Sequence, residues 1–468
     1  MNQSAQIHIE KTNRLLIIAV LLPGAFLAIL NQTLLATAIP HVMADLQITE
    51  NTAQWVMTIF MLVNGIMIPI TAFLTETFTT RRLFLFAMTT FAVGTMICAI
   101  SPNFAILMVG RIIQAAGAGI MMPLMMTVFL LIFPIEKRGV AMGTVGLVIS
   151  FAPALGPAIS GWLLESYPWR SLFYVVLPFA IIDIIIAYFF MKNVTKRTFP
   201  KVDIQSIMLS TVGFGGLLYG FSAAGNVGWS SMIVISSIII GIVALTVFIR
   251  RQFKLEQPIL EFRVFANKIF TITTIIGMIA FTSLIAAEAL LPIYMQNMAG
   301  YTALDSGLVI LPGALLMGLM SPINGRIFDK IGARWLVITG STILAITTFL
   351  YTRLTVDTSI AYLTIVFAIR MFGISMIMMP STTAGLNQLS NRLIPHGSAM
   401  NNTMRQVAAS IGTAVLITVM TQSAQGSNAS IPQMIQGVNT AFYVVTFLSL
   451  IALILAFFIK GNKPYTER

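Results

Sequence analysis

Five charged side chains stand inside apolar stretches of this 468-residue chain: Arg111, Asp183, Glu288, Arg370 and Arg405. A charge near the centre of a bilayer costs on the order of 3 kcal/mol on insertion scales, so each needs a partner or a task. A carboxylate in a low-dielectric site can gain and lose a proton near neutral pH, which is the minimal device for coupling a proton gradient to the movement of a solute. The same carboxylate can neutralise a cationic solute in turn. Glu288 is the first candidate for this role and Asp183 the second. Arg111 and Arg370 read as gating or structural cations. Asn31 and Gln32, in the first apolar stretch, are candidate hydrogen-bond partners for Arg111.

The surroundings of these charges decide the class of protein. The chain is 57% hydrophobic and 9% charged, with a mean hydropathy of +0.91. Soluble domains carry about a quarter charged residues. A helix needs roughly 20 apolar residues to cross the hydrocarbon. Breaks at glycine, proline and charge clusters give fourteen such spans, at about 15–37, 54–74, 83–100, 104–133, 139–163, 169–191, 204–223, 230–249, 269–291, 306–324, 335–352, 359–384, 397–420 and 437–459. The chain is therefore an all-α membrane protein with no room for a soluble domain. Its longest polar stretches, Arg250 to Lys268 and Thr421 to Gln436, have the size of linkers.

The net charge of +12 would suggest nucleic acid in a soluble protein, but here topology accounts for it. With both tails on the cytoplasmic side, outer loops hold only Arg170 and Arg353, three arginines lie within spans, and the other 22 of the 27 basic residues fall on the inner side. The run after Lys11 and Arg14 continues past Leu35 without a small-residue cleavage site and reads as a retained first helix. One cysteine, Cys98, and three scattered histidines offer no disulfide and no metal cluster. No phosphate-binding loop is present, since Gly213-Phe-Gly215-Gly216 follows no strand and reads as helix packing. No cofactor, metal, nucleic acid or enzymatic activity is expected.

The two halves repeat. Glu76 and Arg81 correspond to Asp329 and Arg334 at an offset of 253 (329 − 76). The fourth span runs from Arg111 to Pro123 through Met121-Met122, and the twelfth from Arg370 to Pro380 through Met378-Met379, an offset of 259 (370 − 111). Arg138-Gly-Val-Ala-Met142 corresponds to His396-Gly-Ser-Ala-Met400 at 258 (396 − 138). These matches give two six-helix repeats in the same orientation, residues 1–197 and 268–468, with two inserted spans and a cytoplasmic linker over 198–267. Small residues four apart in the fifth span, Ala152, Gly156 and Ser160, permit close helix approach, and Pro153 and Pro157 bend it.

At these residues the sequence resembles the fourteen-helix drug:proton antiporter family of the major facilitator superfamily, the QacA/EmrB type. The first span, Asn31-Gln32-Thr33 through Pro40, is similar to the family's Leu-Asp-x-Thr pattern, with Asn31 where Asp is usual. Arg111 and Gln114 resemble the Arg-x-x-Gln motif used in proton coupling. Pro153, Gly156, Pro157 and Gly161 resemble the antiporter motif, with Ala152 and Ser160 in place of glycines. Glu76, Arg81 and Arg82 form a degraded copy of the Gly-x-Leu-x-Asp-x-x-Gly-Arg loop, Thr71 and Glu76 replacing Gly and Asp. Gly325, Asp329, Gly332 and Arg334 form a better-kept copy. Gln257 to Phe265 resembles the segment before the ninth span, and Asn402-x-x-Arg405-Gln406 the pattern of the thirteenth.

The resemblance implies a major facilitator fold and a proton-coupled antiporter, working as a monomer by alternating access. Its cargo would be lipophilic cationic or neutral drugs exported across the cytoplasmic membrane, with both termini cytoplasmic. The alternative is a proton-independent facilitator or an importer of a native metabolite. An enzyme or receptor would need a catalytic cluster or an output domain, and neither is visible.

Overall fold

A computed structural model describes residues 11–195, 202–424 and 430–459. The tails, with Lys460, Lys463 and Arg468, and the segment with Lys196, Arg197 and Lys201 lie outside the described residues, as does the expected boundary at 197/198. Hydrocarbon offers no hydrogen-bond partner to a backbone, so each span must satisfy its own amides as a helix. Fifteen α-helices result among the described residues: α1 (Lys11–Leu34), α2 (Ile39–Leu46), α3 (Glu50–Thr77), α4 (Thr80–Ala99), α5 (Phe104–Ile132), α6 (Arg138–Leu164), α7 (Ser171–Phe190), α8 (Ile204–Val227), α9 (Met232–Lys254), α10 (Lys268–Asn297), α11 (Ala303–Ile331), α12 (Ala333–Leu350), α13 (Ile360–Leu386), α14 (Ile394–Ser423) and α15 (Ile431–Ala456). All but α2 are long and apolar enough to cross a membrane, which makes fourteen.

Polar side chains start these helices by accepting orphan backbone N–H groups. Asn103 caps α5, Asn267 caps α10 and Ser359 caps α13. Thr302 with Asp305 makes a reciprocal capping box on α11, and Ser430 with Gln433 does so on α15. Two expectations need correction. Residues 38–53 are not a plain loop, because α2 forms there and ends where Gln47 takes a left-handed conformation, φ 52°. Arg250 to Lys254 is the last turn of α9 and not linker, and Phe262–Ala266 forms a 3-10 turn.

Helices α1 and α3 to α7 pack together as one six-span bundle, and α10 to α15 as the other. The hairpin of α8 and α9 is the insertion. It lies over the seam where α3 of the first bundle meets α14 of the second, and α8 touches both. Trp55 of α3 stacks on Tyr219 of α8 with centroids 5.6 Å apart. Beyond α8, Trp229 donates to Thr418 Oγ1 of α14 at 2.5 Å.

At one end of the molecule, here termed the basic end, stand Arg81, Arg82, Arg138, Arg326 and Arg334. At the opposite end Asp45 of α2 accepts from Trp169 Nε1 at 3.0 Å and from Arg170 Nη1 at 2.7 Å, while Arg170 also donates to the Ser101 carbonyl. These hydrogen bonds hold the Asp45 carboxyl below its ordinary range.

At the basic end Asp203, the cap of α8, pairs with Arg251 of α9 at 2.8 Å. The Arg251 hydrogen bonds pull the Asp203 carboxyl down to about 2. A depressed carboxylate stabilises the fold above its unfolded value and loses that contribution as pH falls through the folded one. The Arg251 side chain is 35% exposed, so the pair contributes under about 1 kcal/mol. The melting temperature in detergent should therefore fall further between pH 6 and pH 2 in the native protein than in Asp203→Asn. Equal falls would show that the pair contributes nothing.

Candidate functional site

Arg111 is fully buried on α5. Its Nε donates to the Val56 carbonyl of α3 at 3.1 Å and its Nη1 to Gln114 Oε1 at 2.7 Å, while Gln114 Nε2 donates to Thr95 Oγ1 of α4 at 2.7 Å. The guanidinium also lies over the Phe60 ring, 4.1 Å from its centroid. One cation thus ties three helices. Asn31 and Gln32 are not its hydrogen-bond partners, contrary to expectation. Arg111 reaches toward α3, whereas Asn31 lies two turns beyond Gly24 and shares the face of α1 that looks at α4 and α7. The Asn31 Nδ2 is buried without a partner.

Arg370 repeats the arrangement in the second bundle. Fully buried on α13, it donates to Thr348 Oγ1 of α12, to the Ser283 carbonyl of α10, and to Ser283 Oγ at 2.9 Å. Thr95 and Thr348 stand 253 residues apart, the offset that relates Glu76 to Asp329. Both threonines escaped the sequence reading, although extending that offset into the third span would have found them. Arg405 of α14 is a third buried cation; it donates to the Met378 carbonyl at 3.3 Å and to Thr382 Oγ1 of α13. Gly277 of α10 leaves it room, since a β-carbon there would stand 3.5 Å from its Nε. All three arginines rest on neutral acceptors, and each keeps one buried nitrogen unpaired.

The two carboxylates are not brought together. Asp183 is 3% exposed on α7, its Oδ2 without a partner in a niche shared with α1 and α4. A β-carbon on Gly24 would come within 2.9 Å of that oxygen and 3.0 Å of Phe84, so the niche exists because residue 24 is glycine. Glu288 sits half-buried on α10 in the other bundle. It feels the charge of Arg370, yet no ion pair within 4.0 Å joins them.

The basic end is sealed between bundles. Asp329, at the end of α11, accepts from Gly139 N at 2.7 Å and from Val140 N at 3.0 Å, placing a carboxylate on the N-terminus of α6 where free amides and the helix dipole favour it. Gly139 and Gly325 bring the two backbones into contact, and a β-carbon on either would strike the other's carbonyl oxygen. Around them Arg138 Nη1 donates to Asn387 Oδ1 at 3.0 Å, and Glu76 Oε1 meets His396 Nε2 at 3.1 Å. The remaining loop residues act within their own bundles. Arg81 donates to the Tyr188 carbonyl and lies over that ring, Arg82 is exposed, and Gly332 supplies the positive φ of 83° between α11 and α12. Exposed Arg334 lies over Trp335.

From that seal the facing stripes of α6 and α11 run upward through Gly143 against Ser321 and Phe151 against Gly318. Further along the contact ends. Pro157 and Gly161 on α6 and Gly307 on α11 are exposed, and a β-carbon on either glycine would meet nothing within 4 Å. Another face of α6, with Gly156 against Thr33 and Ser160 accepting from Thr37 Oγ1 at 2.5 Å, stays packed on α1. Pro153 is half-buried between these faces. The bundles converge at the basic end and splay at the other.

Comparison with known proteins agrees with this architecture. The Major Facilitator Superfamily profile matches residues 21–413. The chain is 55% identical over 458 residues to the uncharacterized MFS-type transporter YcnB of Bacillus subtilis (strain 168), covering 97% of each. It is 43% identical to the lincomycin resistance protein LmrB of Listeria innocua over 97% of this chain and 98% of that one. Among solved structures the human organic anion transporter MFSD10 (TETRAN) superposes with a TM-score of 0.67 at 14% identity, over 96% of this chain and 100% of that one, a likeness of fold alone. A multi-pass membrane protein of fourteen spans in two bundles, this chain belongs to the major facilitator superfamily and resembles its drug:proton antiporter type.

Proposed function

We propose that the protein exports lipophilic cationic or neutral drugs from the cytoplasm in exchange for protons, by alternating access of the bundles 1–197 and 268–468 about a central site. The observation that carries this reading is the opposite packing of α6 and α11 at their two ends, beside a half-buried glutamate that no ion pair has claimed. The excess of lysine and arginine puts the basic end in the cytoplasm. In that orientation the present conformation is closed inward and open outward, the state in which cargo leaves and protons enter. The kinship with a lincomycin resistance protein supports a drug as cargo.

Glu288 supplies the coupling. Ionised, it is drawn to Arg370 and can instead neutralise a cationic cargo; protonated, it releases both. Arg370 ties Glu288's own helix to α12 and α13, so a change of charge at residue 288 is felt by the packing of the second bundle. Arg111 with Gln114 braces the first bundle in the same way. Asp183, in its niche behind Gly24, is a second carboxylate available for protonation.

Two experiments test this reading. In proteoliposomes, Glu288→Gln should reduce substrate-driven proton movement to background while protein still inserts; undiminished coupling would transfer the role to Asp183. Reversing the pH gradient should reverse dye transport in the native protein, and indifference to the gradient would instead indicate a facilitator. Gly325→Val places a side chain against the Gly139 carbonyl. Overpacking of this kind costs about 1–3 kcal/mol, enough to shift the population toward an open basic end by roughly tenfold. Spin labels across that end should report the shift, and an unchanged distance would show that the seal lies elsewhere.

A further inference from the structure

Among the described residues one acid–base side-chain pair joins the two bundles: Glu76 of α3 and His396 of α14. The histidine side chain is 5% exposed. Its two nitrogens have different partners. Nε2 stands 3.1 Å from Glu76 Oε1, and Nδ1 accepts the backbone N–H of Glu261 at 3.3 Å. An accepting Nδ1 leaves the proton of the neutral ring on Nε2, where it is donated to Glu76. The neutral imidazole therefore ties three elements: α3, α14 and the connection between α9 and α10.

A second proton has one place to go, Nδ1, where it would confront the Glu261 N–H donor against donor. Protonation thus exchanges the tie to the connection for a full ion pair between the bundles. The ring borders a polar cavity of about 270 Å³ whose other charged groups are Glu76, Glu256, Glu261, Arg263 and Arg392. Arg263 holds the Glu261 carboxylate at 3.3 Å, and Glu76 is the carboxylate in hydrogen-bond contact with the imidazole. The cavity lies at the basic end, away from Glu288.

We propose that His396 is a proton-sensing latch of the transporter. Acid on the cytoplasmic side charges the imidazole, strengthens its hold on Glu76 and keeps the entrance shut; loss of the proton weakens the cross-bundle contact and returns the imidazole to the α9–α10 connection. Imidazole suits the task because its charge changes between about pH 5 and 8. The latch rests on the alternating-access reading but not on Glu288 as the coupling site. It gives the entrance a titration of its own.

The test uses the full chain in nanodiscs with spin labels at Phe78→Cys and Asn391→Cys, both exposed positions on opposite sides of the seam, in a Cys98→Ala background. Between pH 8 and pH 6 the ratio of short to long distances should rise by roughly threefold or more in the native sequence. His396→Gln, which keeps a neutral donor toward Glu76, should flatten that response, and Glu76→Gln should do the same. A response of undiminished size in His396→Gln overturns the latch while leaving alternating access intact. If neither pH nor a transported dye moves the distance in any variant, alternating access itself fails and the latch with it. Glu288→Gln is the control: it should remove proton coupling yet retain the pH response at this entrance.

Discussion

The carboxylate of Asp329 on the first amides of α6 is the contact on which the conformation depends. It joins one bundle to the other at a point where two glycines allow backbone to meet backbone, so attraction and fit coincide. A carboxylate on a helix N-terminus is favoured without a cationic partner. Such a joint is strong enough to hold and contains no second charge that must be left buried when it parts. The divergence of α6 and α11 at the far end follows from it, because two stiff helices pinned at one end are free to splay at the other.

The three buried arginines show a different economy. A buried guanidinium needs its hydrogen bonds met more than it needs an opposite charge, and helix carbonyls and hydroxyls meet most of them here. Arg111 and Arg370 each clamp three helices, and both reach a threonine at equivalent places in the repeat. Positive charge is thereby fixed in the packed interior, which leaves Glu288, on the half-open side of α10, as the group with freedom to change state.

Much of this was legible in the sequence. The fourteen spans were, because hydropathy over 20 residues is a strong signal, and so were the five intramembrane charges and the loop motifs. The short helix α2 was not: eight residues mixing Pro40, His41 and Asp45 carry no membrane signal. The pairing of Arg111 with Asn31 failed because it depended on how α1 and α5 are rotated about their axes, which residue type does not specify. His396 was visible only as a repeat match to Arg138, and its contact with Glu76 spans 320 residues, far beyond any local pattern. The niche of Asp183 depends on Gly24, a residue 159 positions away (183 − 24) with nothing in its own neighbourhood to mark it.

The inserted hairpin makes the two sides of the molecule unequal. Through Tyr219 and Trp229 it staples α3 to α14 near the end that is otherwise open, while nothing comparable covers α6 and α11. The bundles therefore share a spine along one edge and a fore-edge along the other, as the boards of a book do. A cargo dissolved in the surrounding lipid meets a closed back on one side and a slit on the other, so the direction from which it approaches is set before any chemical recognition begins.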